Sequence, residues 1–379
     1  MKLIFSNEKK FMNSENVAVY AESLKSDNSR VQRQEWVDTA KGIAIIIVVL
    51  VHIMNTQTLA HSLLQTFIMP WFFALSGLFV VKKINSENFV EHFKKRFVKI
   101  MVPYFIFGIC IYVPYNWLYF HFIIPDAQVS LPQRILAHII GLHEDWGYEW
   151  RGELWFLPTL FVADIIIWSI WKYCYKIRYV TVLFLVIIAL VYNYIWHMSL
   201  PWRIQTAMIA ILYIVVGVNY RNIRNKYSIF LLMASFLILW VLNDFQATAM
   251  VNDNYDIAIF SIPMSVCITL LVTEICHRIK PITFISNLGK ASLAIYVIHL
   301  VFTPIITVIA IKSNLRNNLL LELSIEIPLA ILVAWISSRI GFFINKIAPW
   351  AFGIFPKHEA STNAAYKKNT ENYASASEK

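Results

Sequence analysis

In the stretch EWVDTAKGIAIIIVVLVHIM, residues 35–54, one histidine lies among valines and isoleucines eleven residues after a lysine. On an α-helix eleven residues make three turns and about 20° of rotation, so Lys41 and His52 share a face about 16 Å apart along the axis. Asp38 falls within about 40° of the histidine. An imidazole titrates near neutrality and suits a general base or a proton carrier. The plainer reading is a packing ring that hydrogen-bonds a neighbouring carbonyl, although ionisable groups at such depth are costly and usually face a cavity or a partner.

Three further constellations carry chemistry. In RFVKIMVPY, Arg96 and Lys99 stand one turn apart on one face. By themselves they read as interfacial anchors and topology signals, the Arg with a planar fork of donors and the Lys as a point charge. In SLAIYVIH, Ser292, Tyr296 and His299 form one polar stripe, equally readable as an interhelical hydrogen-bond seam. In HEDWGYEWRGELW, residues 143–155, the acidic or titratable His143, Glu144, Asp145, Glu149 and Glu153 alternate with Trp146, Tyr148, Trp150 and Trp155. Carboxylates accept from sugar hydroxyls and rings cover the apolar faces of sugars; an interfacial aromatic belt is the bland alternative. Glu153, at the membrane edge, is placed to orient an imidazole. Ser76 and Gly77 read as a close helix contact, since no base is placed beside the serine.

The elements that hold these residues are membrane helices. Of the 379 residues, 58% are hydrophobic and only 15% charged, far from the balance of soluble domains. Apolar stretches at 38–56, 62–81, 100–122, 154–171, 179–197, 203–219, 228–243, 257–275, 291–311 and 319–345 each approach the length needed to cross a bilayer. The expected fold is therefore all-α: a polytopic helical bundle of about ten transmembrane helices over residues 35–346. A polar cytoplasmic segment 1–34, with no apolar h-region of a cleaved signal peptide, precedes it. A disordered tail 347–379, rich in Ala, Ser, Asn and Lys, follows.

With both termini in the cytoplasm, all but Arg134, Arg151, Arg203, Lys312 and Arg316 of the 33 Lys and Arg residues lie on the inner side, as the positive-inside rule requires. The net charge of +10 is thus topological, and a nucleic-acid partner is not expected. The four cysteines form no CxxC pair and read as packing thiols, with no metal site expected. No internal repeat at a fixed period supports a repeat-built transporter.

The motifs resemble those of the acyltransferase family 3 membrane proteins. DTAKGIAIIIVVLVH resembles the first-helix signature, with Lys41 where arginine is commoner, as in a branch similar to fucose 4-O-acetylases; lysine keeps the charge without the fork. MPWFFALSGLFV (69–80), KKRFVKIMVPYF (94–105), ELWFLPTLF (153–161) and NLGKASLAIYVIH (287–299) resemble later family segments in order and spacing.

The resemblance implies an O-acetyltransferase of the bacterial inner membrane that moves an acetyl group from cytoplasmic acetyl-CoA to a hydroxyl of an envelope glycan or lipid-linked sugar. It implies His52, assisted by Glu153 and His299, as catalytic residues. It also implies Lys41, Arg96 and Lys99 as donor ligands and Trp155 and Tyr296 as substrate contacts. The rival expectation is a carrier or flippase for a glycan lipid, with the histidines as proton relays and paired broken helices near mid-membrane. The sequence leaves the oligomeric state open.

Overall fold

The computed structural model describes residues 35–54, 58–80, 84, 87–114, 130–142, 154–196, 198–224, 226–246, 249–250, 253, 255, 257–302, 306 and 319–355. Among them the chain is a helical bundle without strands. The segment 1–34, the end of the expected tail from residue 356 and the acidic–aromatic run 143–153 lie outside the described residues.

In chain order the helices are α1 (Glu35–Ile53), α2 (Leu59–Val80), the composite α3, α4 (Leu131–Ile140), α5 (Phe156–Tyr173) and α6 (Arg178–Trp196). They are followed by α7 (Ile204–Arg224), α8 (Ile229–Leu242), α9 (Ala258–Arg278), α10 (Thr283–Lys290), α11 (Ser292–Ile298) and α12 (Leu319–Ile347). Seven of these are long and apolar enough to cross a membrane: α1, α2, α5, α6, α7, α9 and the 323–347 part of α12. They match seven of the ten expected crossings, and the protein is a multi-pass membrane protein.

The remaining three differ in form. The crossing expected at 291–311 begins as a bent pair, with α10 and the 292–301 segment meeting at 66°. That at 228–243 is α8, whose 14 residues span about 21 Å, short of a full hydrocarbon layer. The one expected at 100–122 starts upstream. Asn88 caps its first turn, its side chain accepting from the Glu91 amide at 2.9 Å, and α3 then runs from α-helix (Phe89–Arg96) through a π segment (Phe97–Met101), α-helix (Val102–Phe107) and a second π segment (Gly108–Tyr112). Such π-bulges frequently mark functional sites.

The core is assembled by close helix crossings. A Cβ on Gly42 would lie 2.0 Å from the Ile285 carbonyl oxygen, and one on Gly289 would lie 1.8 Å from that of Asp38. The glycines of the AKG and NLGK motifs therefore let α1 and α10 touch backbone to backbone. Gly77 does the same against α7, a Cβ there falling 2.1 Å from the Ile214 oxygen, which confirms the packing reading of Ser76-Gly77. Pro70 inside α2 cannot donate to the Thr66 carbonyl. Ser265 of α9 donates to that oxygen instead, at 2.7 Å.

The outward faces of α6 and α8 expose Leu183, Phe184, Ile187, Phe230 and Ile238, the apolar surface that lipid requires. Past α12, residues 349–352 form a 3-10 turn whose Phe352 packs on Phe107 of α3 at 5.1 Å between ring centroids. This turn belongs to the bundle, although the sequence assigned it to the tail. Gly353, at φ +67, ends it beneath the Val98 carbonyl, a left-handed position that glycine adopts without strain.

Candidate active site

A cavity of about 380 Å³ opens between α1, α2, α3, α5 and α11. Lys41 from α1 and Arg96 and Lys99 from α3 supply its cations; Ser76, Ser292 and Tyr296 supply hydroxyls; Phe72, Phe79 and Phe156 supply apolar wall. The sequence grouped these residues only within each helix, and the fold brings the groups together. The Lys41 ammonium sits 5.3 Å from the centre of the Phe79 ring. Ser76 donates its hydroxyl to the Phe73 carbonyl at 2.7 Å, an engagement unsuited to a nucleophile.

His52 is not on this wall. Its ring is exposed within the bundle and lies 5.3 Å, centre to centre, from that of His299. Along α1 the cavity is lined by Lys41 and Ile45, while Val48 and Val49 are buried in packing. The connection to the cavity runs through Tyr296, whose ring lies 6.1 Å from His299 on one side and 5.6 Å from Phe156 on the other. The stripe Ser292–Tyr296–His299 therefore divides: its first two residues face the cavity and the third backs it.

His299 is fully buried where α11 gives way to a 3-10 turn. The His299 ring turns back onto the last carbonyls of its own helix, of which that of Ile295 also accepts from the His299 backbone N–H. Its Nδ1 stands 3.0 Å from both the Ile295 and the Tyr296 oxygens. Carbonyls only accept, so Nδ1 carries the proton and Nε2 of the neutral ring holds a lone pair. Nε2 has no hydrogen-bond partner among the described residues. Tyr112 of α3 donates to the Val297 oxygen at 2.8 Å, tying the same break to the third helix.

His61 falls between the apolar stretches 38–56 and 62–81, where the sequence places an outer turn; the structure puts it inside a helix. It is buried in the first turn of α2, with Gln65 one turn on at 3.5 Å.

Arg96 is not a free cation. Its Nε and Nη2 donate side-on to the two oxygens of Asp164 from α5, at 2.9 and 2.6 Å. Asp164 also accepts from His92 Nε2 at 2.7 Å, and Glu87 accepts from Lys95 at 3.0 Å. His92 stacks on Trp168 at 4.8 Å, and Lys172 caps the same indole. Burial pushes the Glu87 carboxyl up, but hydrogen bonds from Lys95 and His92, with their charges, outweigh it and hold the group below its usual range. A side-on pair leaves Nη1 and one Nη2 proton of Arg96 for another acceptor. The network thus aims the guanidinium while part of its donor set stays open toward the cavity.

The family model of the acyltransferase domain (acyltransferase 3) matches residues 34–339. The chain belongs to the acyltransferase 3 family. No curated protein and no solved structure matches it. The membrane bundle and the family together make it an integral-membrane acyltransferase.

In this acyltransferase the matched region ends at Arg339 of α12 and includes every candidate residue named above. Trp155 is buried in the turn before α5, with the Arg203 guanidinium 5.2 Å from its ring. It does not line the cavity. Arg203 is itself buried and paired with Asp253 at 2.7 Å, and Thr206 donates to the same carboxylate at 2.6 Å. Glu153, expected to orient an imidazole, lies outside the described residues. Asp164 and His92 were missed by the sequence reading. An aspartate inside the apolar run FLPTLFVADIIIWSIW was signal enough for Asp164. His92 carries no such mark, because its role comes entirely from the partners that the fold brings to it.

Proposed function

We propose that the protein is an O-acetyltransferase of the bacterial inner membrane, similar to the fucose 4-O-acetylase-like branch. It would take acetyl groups from acetyl-CoA on the cytoplasmic side, where both termini lie, and place them on a hydroxyl of an envelope glycan or a lipid-linked sugar. The observation that carries this reading is the cavity itself: three cations, Lys41, Arg96 and Lys99, line it together with apolar wall, and Tyr296 in that wall stands 6.1 Å from His299, which lies 5.3 Å from His52. Phosphates suit the cations, the pantetheine arm suits the passage, and the thioester reaches toward the imidazoles.

In the reaction an imidazole accepts the acceptor hydroxyl proton while the oxygen attacks the thioester carbonyl. The C–S bond then breaks, and the thiolate takes a proton as it leaves. His52, accessible within the bundle, is the residue assigned to this base. His299, with Nδ1–H held by two carbonyls and a lone pair on Nε2, can take up the proton from His52 at Nε2 and return it for the leaving thiolate. In a covalent variant of the same scheme, His52 itself carries the acetyl group between the two half-reactions.

The rival carrier reading draws on one observation, the 66° break between α10 and α11. It expects paired breaks in two halves, and among the described residues the break has no counterpart. Mass spectrometry of envelope glycans from deletion and complemented cells tests the proposal. Loss of an acetyl mass with the glycan retained supports the transferase; loss of the whole glycan supports the carrier and refutes it.

A further inference from the structure

Beside the narrow cavity lies a larger groove of about 1000 Å³, walled by α3, α10, α11, α12 and the turn after α12. Its charged lining is entirely cationic: Lys95, Lys99, Lys290 and Arg339. No carboxylate belongs to it. Lys99 and Leu293 line both spaces, so groove and cavity adjoin at one lysine.

Arg339 is the informative member. It sits eight residues before the cytoplasmic end of α12, about 12 Å into the helix, where a charge is expensive unless it has work to do. Lys95 spends part of its charge on Glu87. Arg339 has only the Trp335 ring, 5.5 Å from its guanidinium carbon, and no carboxylate pairs with it among the described residues. Trp335, Phe284 and Phe342 give the same groove aromatic surface, on which a nucleobase stacks. The volume is that of a site for a cofactor-sized ligand.

We infer that this groove is the docking site for the 3′-phosphorylated adenosine of the acyl donor, with Lys290 and Arg339 binding its 3′-phosphate and Lys99, shared with the narrow cavity, meeting the diphosphate where the pantetheine arm turns inward. The inference rests on the acetyl-CoA reading above and extends it to residues that reading did not use. Charge complementarity selects an anion. Continuity with the acyl passage selects the donor over an anionic lipid headgroup, which would present the same phosphate chemistry from the bilayer side.

The test uses the full-length protein in nanodiscs, either of phosphatidylcholine alone or with phosphatidylglycerol added. Acetyl-CoA is compared with S-acetyl-4′-phosphopantetheine, which lacks the nucleotide, and adenosine 3′,5′-bisphosphate serves as a competitor. Arg339→Gln and Lys290→Gln should each raise KM for acetyl-CoA about tenfold, the loss of roughly one charge-assisted hydrogen bond. They should leave the constants for the truncated donor unchanged, weaken inhibition by the bisphosphate equally, and act alike in both lipids. Arg339→Lys should recover part of the affinity.

Equal effects on both donors, or no effect on either, would overturn the assignment. An effect confined to the phosphatidylglycerol discs would give the groove to lipid. Wild-type protein inert toward acetyl-CoA but active with another acyl donor would refute the acetyl-CoA reading itself, and the bisphosphate competition arm would show that failure separately.

Discussion

His52→Ala separates catalysis from architecture more cleanly than any other single change. The ring is exposed within the bundle, and its one described ring contact is His299 at 5.3 Å. Truncation there opens little new void and should cost under about 1 kcal/mol of stability. Removing a general base costs about 10²–10⁴ in rate, or roughly 3–5 kcal/mol of transition-state stabilisation. The neighbouring ring behaves in the opposite way. His299 is fully buried and its ring bonds two carbonyls of its own helix, so His299→Ala combines a cavity with lost hydrogen bonds and should cost about 2–5 kcal/mol.

His299→Asn keeps an N–H donor where Nδ1 stood and removes only the Nε2 side, so it should fold and still be slow. The assay pairs thermal unfolding of purified protein, followed by tryptophan fluorescence, with transfer of labelled acetyl to the glycan. His52→Ala should unfold near the wild-type temperature with at most about a hundredth of its rate, His299→Ala should be scarce or unstable, and His299→Asn should be stable and impaired. A folded His52→Ala retaining more than about a tenth of the wild-type rate would contradict the base assignment, since even the low end of general-base catalysis exceeds that loss.

Three other outcomes are expected. Reversing charge at Arg96 and Lys99 together should raise KM for acetyl-CoA more than KM for the glycan, because both groups line the cavity and lost uniform binding shows in KM; unchanged donor kinetics would leave the pair with a topological role alone. His138 of α4 is buried, which lowers its pKa to about 4, although the hydrogen bond to the Tyr104 carbonyl pulls the other way. The unfolded state therefore binds the proton first, so His138's contribution is full above about pH 6.5 and falls as pH drops toward 4. His138→Gln should flatten the pH dependence of thermal stability in that window, and an unaltered slope would count against it. Reporter fusions after Asp145 and after Asn225 should read outside and inside respectively, and the reverse would move the donor site to the other face of the membrane.

What the sequence made legible follows from which interactions are local. The eleven-residue spacing of Lys41 and His52 is a property of one helix and survives folding. Whether both ends reach the same cavity depends on α2, α5 and α11, and there Ile45 takes the inner position while His52 turns to His299. The glycines of AKG and NLGK were visible as motif letters, yet their meaning is mutual: each is small because the other helix's backbone occupies the space of its Cβ. His61 fell between two apolar runs in the sequence, whereas α2 begins at Leu59 and buries it in its first turn. The α10–α11 bend has no proline to announce it.

Asp164 shows why the donor end could be only half read. Arg96 and Lys99 were visible as cations, but a cation beside a membrane is common and uninformative. Its significance comes from a buried acid one helix away that fixes two of its donors and leaves others open. A carboxylate that only neutralised Arg96 would weaken phosphate binding. One that also accepts from His92 on the stacked Trp168 face holds the guanidinium plane in place, so less side-chain entropy is lost when a phosphate arrives. The same logic separates Arg96 from Arg339, which has a ring beneath it and no acid to aim it. On the proposed reading the first orients an anion at the entrance to the acyl passage, and the second attracts one into the groove.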